Sequence, residues 1–385
     1  MSIPRSTYRR ILNRILLICC CWLCQCVQTY VSPYKSPPTG YLVVEGYISG
    51  NAATQFSLTR TIGLPGDSAI PVVTGANVQV EGSDSSVYPL PEEGGGDYGG
   101  TTLSLNPALQ YRLRIHTPDG ANYLSDFVTV KPSPPIDSVN WIFTPAHGVT
   151  IYVNTHDPNN ATHYYRWTYD QTWQYNMAQE SFEVYNPDSN KVVPRKPGQF
   201  VYSCWDDAPS TELLLDNTSK LAQDVVYEYP LVNIPNNTQP LSVLYSIQVT
   251  QYGLTSDAYS YLELMQKNTE SLGSIFDVLP SGLTGNIHCV SNPGEQVIGY
   301  ISAGMVAQQR IFISNDQLPY WEYFIACENP NYLVPDVPDS LEYYFHYGGY
   351  IPLAEAIGGY TANASYCLDC TTLGGTNQKP SFWPN

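Results

Sequence analysis

Between Val243 and Ala303 the chain spells a strand, a helix, a loop and a second strand, and only there does it sustain a long helical period. Ile247 and Val249 alternate with Gln248 and Thr250, the two-residue period of a half-buried strand. After Thr255-Ser256-Asp257, a helix-starting trio, Ala258, Tyr261, Leu262 and Met265 recur at helical spacing, and Gly273 ends the run. Elsewhere the apolar runs are short and punctuated by Pro, Gly and Asn. Such a chain builds its cores from sheets, with one helix fitted against them.

The residues available agree with this. Of 385 residues, 32 are Tyr, 31 Pro and 28 Gly, while only 13% are charged. That mixture favours short strands, frequent turns and half-buried aromatic faces, the signature of an all-β extracytoplasmic protein. The length allows two domains with sizeable cores.

The N-terminus argues for export. Arg5, Arg9, Arg10 and Arg14 precede an apolar run, Ile15 to Leu23, too short to span a bilayer and too early for a core strand. Residues 1–25 therefore read as a secretory signal. Five of the ten cysteines (19, 20, 21, 24 and 26) crowd into or just after this run. A bacterial lipoprotein signal needs Leu three residues before the Cys that is acylated, and Leu23-Cys24-Gln25-Cys26 supplies that spacing. Cys26 is the expected lipidation residue and Cys24 the next candidate, with a plain cysteine-rich signal peptide as the alternative. Three acyl chains would anchor the protein stably, because each buried methylene contributes about 0.8 kcal/mol. Removing residues 1–25 takes away four Arg and no acid, so the formal charge of −17 becomes −21. A surface of that sign is repelled by phosphate backbones, which argues against nucleic acid as a partner.

Residues 26–40 lack apolar periodicity and are rich in Pro, Ser and Thr, as a flexible tether is. Residues 41–133 carry about seven short strands: 41–48, 54–62, 76–81, 87–90, 103–105, 110–116 and 122–130. Pro118-Asp119-Gly120 joins the last two as a hairpin, with Tyr111, Leu113 and Ile115 on one face and Arg112 and Arg114 on the other. The expected fold is a β-sandwich of the immunoglobulin or transthyretin kind. Lys131-Pro-Ser-Pro-Pro135 marks its end. In residues 134–385, Tyr164, Arg166, Thr168 and Asp170 alternate with Tyr165, Trp167 and Tyr169, which resembles the third strand of a fibronectin type III module. Further strands are expected at 139–143, 149–155, 181–185, 211–215, 225–234 and 308–313. The helix and the long stretches 186–210 and 314–385 make this a decorated sandwich.

Five cysteines remain in the body: Cys204, Cys289, Cys327, Cys367 and Cys370. In an oxidising compartment they allow two disulfides and one leftover thiol. Cys204 and Cys289 both sit in aromatic or apolar strand contexts and are the expected first pair. Cys327 would pair with Cys367 or Cys370. Cys367-Leu-Asp-Cys370 lacks the flanking pattern of a redox pair and the second pair of a zinc ribbon, which leaves a structural disulfide. The six His include no metal-binding spacing, and no metal or other cofactor is expected. Tyr300-Ile-Ser302-Ala-Gly304 lacks the first glycine of a nucleophile elbow. Asp157-Pro-Asn159-Asn160 reads as a turn more readily than as a calcium loop. The aromatic content could build a sugar-stacking platform, although most rings must pack the sandwiches. No constellation argues for catalysis.

These stretches resemble the domain of unknown function 4249 family, lipoproteins of Bacteroidota. The resemblance is carried by YLVVEGYI at 41–48, GANVQVEG and GGDY between 75 and 98, the YRLRI hairpin, PPIDSV at 134–139, YYRW at 164–167 and YSCW at 202–205. It continues through YSIQVTQYGLT with its helix, GSIF at 273–276, GNIHCV at 285–290, EQVIGY at 295–300, and CLDC followed by GGTNQKPSFW. It implies an outer-membrane lipoprotein, commonly encoded beside a TonB-dependent barrel transporter, and it carries over no catalytic or ligand residues. Gln25 is bulkier than the residue usual beside the acylated Cys, and no acidic run follows Cys26. The expected function is that of a non-enzymatic accessory or binding component of an uptake system, with a stand-alone adhesin or glycan-binding module as the alternative.

Overall fold

The computed structural model describes residues 40–62, 69–270, 284–327 and 332–384, apart from the side chains of 269 and 270. The signal segment, nearly all of the tether and the expected helix stop at Gly273 lie outside these residues. The described fold is all-β and sandwich-like, with two main hydrophobic cores.

Nine strands open the first core: β1 (Leu42–Ser49), β2 (Ala53–Arg60), β3 (Asn77–Gly82), β4 (Val87–Leu90), β5 (Glu92–Gly94), β6 (Asp97–Thr102), β7 (Gln110–His116), β8 (Asn122–Ser125) and β9 (Val128–Pro132). Alternation sets their faces as the sequence suggests. Tyr111, Leu113 and Ile115 are each 1% exposed, while Arg112 and Arg114 point outward to the carboxylate of Glu81 on the neighbouring β3. The Pro118-Asp119-Gly120 hairpin forms, its carboxylate accepting from the Thr117 hydroxyl and the Ala121 N–H. Leu103 and Leu105 do not form the expected strand. They are buried on an unpaired loop, so their alternation reflects insertion into the core and not a ladder. The glycine-rich stretch after Leu90 instead supplies β5 and β6.

The second core lies between two sheets. β10 (Ile136–Thr144), β11 (Gly148–His156) and β17 (Val225–Ile234) make one; β12 (Tyr164–Asn176), β15 (Ser203–Pro209), β16 (Leu214–Asn217), β18 (Leu244–Gly253) and β22 (Ala307–Ser314) make the other. The long β12 turns Tyr165, Trp167 and Tyr169 inward, and the Trp167 ring stacks between Tyr165 at 5.6 Å and Tyr229 at 4.7 Å. Trp167 Nε1 donates to Gln251 Oε1 at 2.9 Å. The Gln251 amide in turn donates to the Pro134 carbonyl at 2.8 Å and to the hydroxyls of Ser133 and Thr155, each at 3.1 Å. The proline-rich linker is thus pinned into the second core.

The chain then returns to the first sheet. Helix α1 (Ser256–Glu270) is capped by Thr255 Oγ1, which accepts from the Ala258 N–H at 3.2 Å. Its Tyr259 packs on Tyr164 of β12, and its Tyr261 hydroxyl accepts from the Gly299 N–H at 2.8 Å. Beyond it, β19 (Ile287–Cys289) pairs with β8, β20 (Val297–Ile298) lies parallel to β1, and β21 (Ala303–Met305) lies parallel to both β1 and β9. β21 therefore joins β9 to β1 edge to edge within a twelve-stranded sheet. The decoration expected on the second sandwich comprises a hairpin, β13 (Glu183–Asn186) and β14 (Lys191–Pro194), and a sheet of β23 (Tyr332–Pro335), β25 (Gly359–Ala364) and β24 (Tyr350–Ala356). The two meet over Val334, Leu341 and Ala362.

Candidate binding cleft

The outward residues of β12 form a polar row, because every second side chain faces away from the core. Asp170 is in register with Gln248 of β18 and, through it, with Arg310 of β22. Thr172 is in register with Asp207 of β15 on one side and with Ser246, then Phe312, on the other.

The C-terminal tail crosses this face. Trp205 and Thr376 exchange backbone hydrogen bonds, both 2.8 Å, so the tail joins β15 for one residue pair. Farther on, Trp383 is only 6% exposed, meeting Phe312 edge-on at 5.6 Å and Trp205 at 6.4 Å. Phe382 carries the Arg310 guanidinium over its ring at 3.7 Å, and Arg310 Nη1 donates to Ser246 Oγ at 2.9 Å. Two clefts result, of about 380 and 370 Å³. The first is lined by Asp170, Asp206, Asp207, Arg310, Trp205 and Phe382, and the second by Gln174, Leu244, Lys379 and Trp383.

The first cleft carries the unusual electrostatics. Its walls desolvate Asp170 although the side chain is reached by solvent, which pushes the carboxyl above its usual pKa; Arg310 opposes the rise and Asp207 adds to it. Desolvation likewise lowers the pKa of Arg310. Carboxylates, a guanidinium and aromatic rings equip this cleft to hold a polar or charged ligand.

Disulfides hold the tail wall in place. Cys204, beside Trp205, is bonded to Cys370 across 166 residues, and Cys327 to Cys367 across 40. The expected count of two bridges and one thiol is met, and Cys367 is one of the two partners considered for Cys327. The expected Cys204–Cys289 pair is corrected. Cys289 lies on β19 in the first sheet, buried, with its sulfur 3.5 Å from Ser291 Oγ, while Cys204 lies in the second sandwich. Both residues sit in buried strand settings, but alternation does not tell which sheet a strand joins. Cys26 lies outside the described residues.

The other motifs stay apart from the cleft. Asp157 accepts backbone N–H groups of Asn159, Ala161 and Thr162, a turn that uses its oxygens internally. Ser302 precedes β21, where its carbonyl accepts from the Ile48 N–H. His156 pairs with Asp137, and His288 with Asp126. The Trp205 and Trp383 rings stand at 83° to one another, so they form no flat sugar platform. Trp205 stands within YSCW and Phe382 and Trp383 within the C-terminal PSFW, far apart in sequence, with no local pattern that joins them. The one signal was a pair of large aromatics in an otherwise polar tail.

A family model described as a domain of unknown function, DUF4249, matches residues 28–310. The chain belongs to this family. No curated protein matches it. In this DUF4249 chain the match ends at Arg310, within β22, short of the CLDC and GGTNQKPSFW stretches. The floor of the cleft lies inside the matched residues, and its outer wall of Thr376, Pro380 and Phe382 lies beyond them.

Proposed function

We propose that this DUF4249 chain is a lipid-anchored, non-enzymatic binding component of the outer membrane that works beside a TonB-dependent uptake barrel. The cleft carries the reading: a face of charged and aromatic side chains, walled by a disulfide-held tail, is suited to gripping a ligand or partner. Anchoring through Cys26 on a Pro- and Ser-rich tether would confine the module near the barrel and raise its effective concentration there. The test is a mild-detergent pull-down of tagged protein from native outer membranes, with mass spectrometry of what accompanies it. A stoichiometric barrel supports the accessory role. Recovery of the protein alone at full yield overturns it and favours a stand-alone adhesin or glycan-binding module. Cys26→Ala should release the chain from membranes; continued association without acyl mass would remove the lipid anchor from the proposal.

A further inference from the structure

We infer that a tyrosine face on the module built around β23, β24 and β25, formed by Tyr332, Tyr343, Tyr347 and Tyr366 beside Glu342, docks an extended, arginine-rich segment of a partner protein. The face shares no residue with either cleft and adds a second contact to the proposed binding role.

The module inverts the usual order of side chains. Its buried centre is small, made of Val334, Leu341 and Ala362, whereas Tyr332, Tyr343, Tyr347 and Tyr366 are 44%, 65%, 72% and 45% exposed. These rings belong to one surface. Tyr343 meets Tyr344 edge-on at 5.1 Å, Tyr344 meets Tyr350 at 5.7 Å, and Tyr350 meets Tyr332 at 5.3 Å. Burial, then the neighbouring hydroxyls of Tyr332, Tyr344 and Tyr366, push the Tyr350 pKa up, which places Tyr366 in the same group. Tyr343 and Tyr347 share a single π-helical turn (Glu342–Tyr347), a rare geometry that recurs at functional sites. Tyr366 precedes Cys367, whose bridge to Cys327 ties the end of the module to its beginning. A face held in this way loses little freedom when covered, and Tyr is enriched where protein partners bind.

The charge of the module selects the occupant. Between residues 311 and 378 the chain carries eight acidic residues and no Lys or Arg. Among the described residues none of these acids forms an ion pair. Glu342 stands within the face, its Oε1 accepting from the Tyr347 hydroxyl at 3.5 Å. The rings give a separate argument. Elsewhere the fold lays its own arginines over aromatic rings: Arg112 on Phe127, Arg166 on Tyr252 and Arg310 on Phe382. The module has no arginine of its own to do so. A guanidinium can stack on tyrosine while its fork meets a carboxylate, which a lysine ammonium does less well. An anionic bilayer or a second copy of this acidic chain would be repelled.

The test uses the full chain in mild detergent at low salt and blocked peptides alternating Ser with Arg, with Lys or with Glu, followed by calorimetry. The Arg peptide should bind at least about tenfold more tightly than the Glu peptide, and more tightly than the Lys peptide. Tyr343→Ser with Tyr347→Ser should weaken it at least about tenfold, and Glu342→Lys by a similar factor. Asp207→Asn in the cleft, and Tyr227→Ser at an exposed position on β17, should each leave affinity within about twofold. Arg and Glu peptides binding equally, Lys matching Arg, no binding of the Arg peptide, or a larger loss from Asp207→Asn than from the tyrosine pair would overturn the proposal. So would binding of Cys26→Ala chain to vesicles of phosphatidylethanolamine and phosphatidylglycerol that the tyrosine pair of substitutions abolishes, since the face would then be a membrane contact. Thermal unfolding of each variant separates loss of the face from loss of the fold, and Glu342→Lys probes the face without removing a ring. Failure here leaves the barrel partnership standing, because that is judged by co-purification alone.

Discussion

The indole N–H of Trp167 is hydrogen-bonded to the side-chain oxygen of Gln251 at 2.9 Å, and neither residue has any exposed surface. The amide nitrogen of the same glutamine reaches the linker carbonyl of Pro134. One side chain therefore joins the aromatic centre of the second sandwich to the segment that leads out of the first. A buried amide of this kind is stabilising only while every bond is made.

Gln251→Leu should test that dependence. It keeps the bulk but leaves the Trp167 donor buried without a partner and the Pro134 carbonyl with only the Ser133 hydroxyl as donor, so unfolding free energy in urea should fall by about 1–3 kcal/mol. A loss below about 0.5 kcal/mol would show that the network contributes little.

Peptide mapping under non-reducing conditions should recover Cys204 linked to Cys370 and Cys327 linked to Cys367, with Cys289 as a free thiol. Cys204→Ala with Cys370→Ala should cost about 2–4 kcal/mol and speed proteolysis of the tail. Cys289→Ala should leave both bridges intact. A Cys204–Cys289 peptide would contradict the arrangement.

Glu81 gives the fold an acid limit. Burial works to raise its pKa, but hydrogen bonds and charge from Arg112 and Arg114 outweigh it, and the folded carboxyl titrates below its ordinary value. A depressed folded pKa contributes stability that is complete above the unfolded pKa and is lost as pH falls through the folded one. Stability should therefore decline as pH drops below about 4.5, and Glu81→Gln should make that decline shallower. An unchanged slope in the variant would assign the acid sensitivity to other carboxylates.

Gly148 and Gly120 share a φ of +89° but not a setting. A Cβ on Gly148 would collide with the Ile234 carbonyl oxygen, whereas nothing lies near Gly120. Gly120→Ala should cost about 1 kcal/mol, from the backbone conformation alone, and Gly148→Ala at least twice that, read from thermal or urea unfolding. Equal costs would mean that the strand end beside Gly148 yields freely.

Local chemistry made much of this fold legible. β7, β12 and β18 follow from strict alternation, and α1 from a cap followed by a helical period, because in each case one element and its own burial set the pattern. The returning strands were harder to read. β20 is two residues long and β21 three, and both depend on β1, more than two hundred residues away in sequence. The cleft was out of reach for the same reason: Asp170, Trp205, Arg310 and Phe382 meet only through sheet register and the path of the tail.

That return to β1 also sets an order for assembly. β1 is synthesised early, while two of the three strands beside it come from residues 297–305. Until these emerge, one edge of β1 is bare and able to pair with strangers. The first sandwich must therefore wait for most of the second to be made, a non-local dependence of the kind that slows folding. A gene fragment ending at the linker would encode an incomplete sheet, so recombination can exchange these two sandwiches only as a pair.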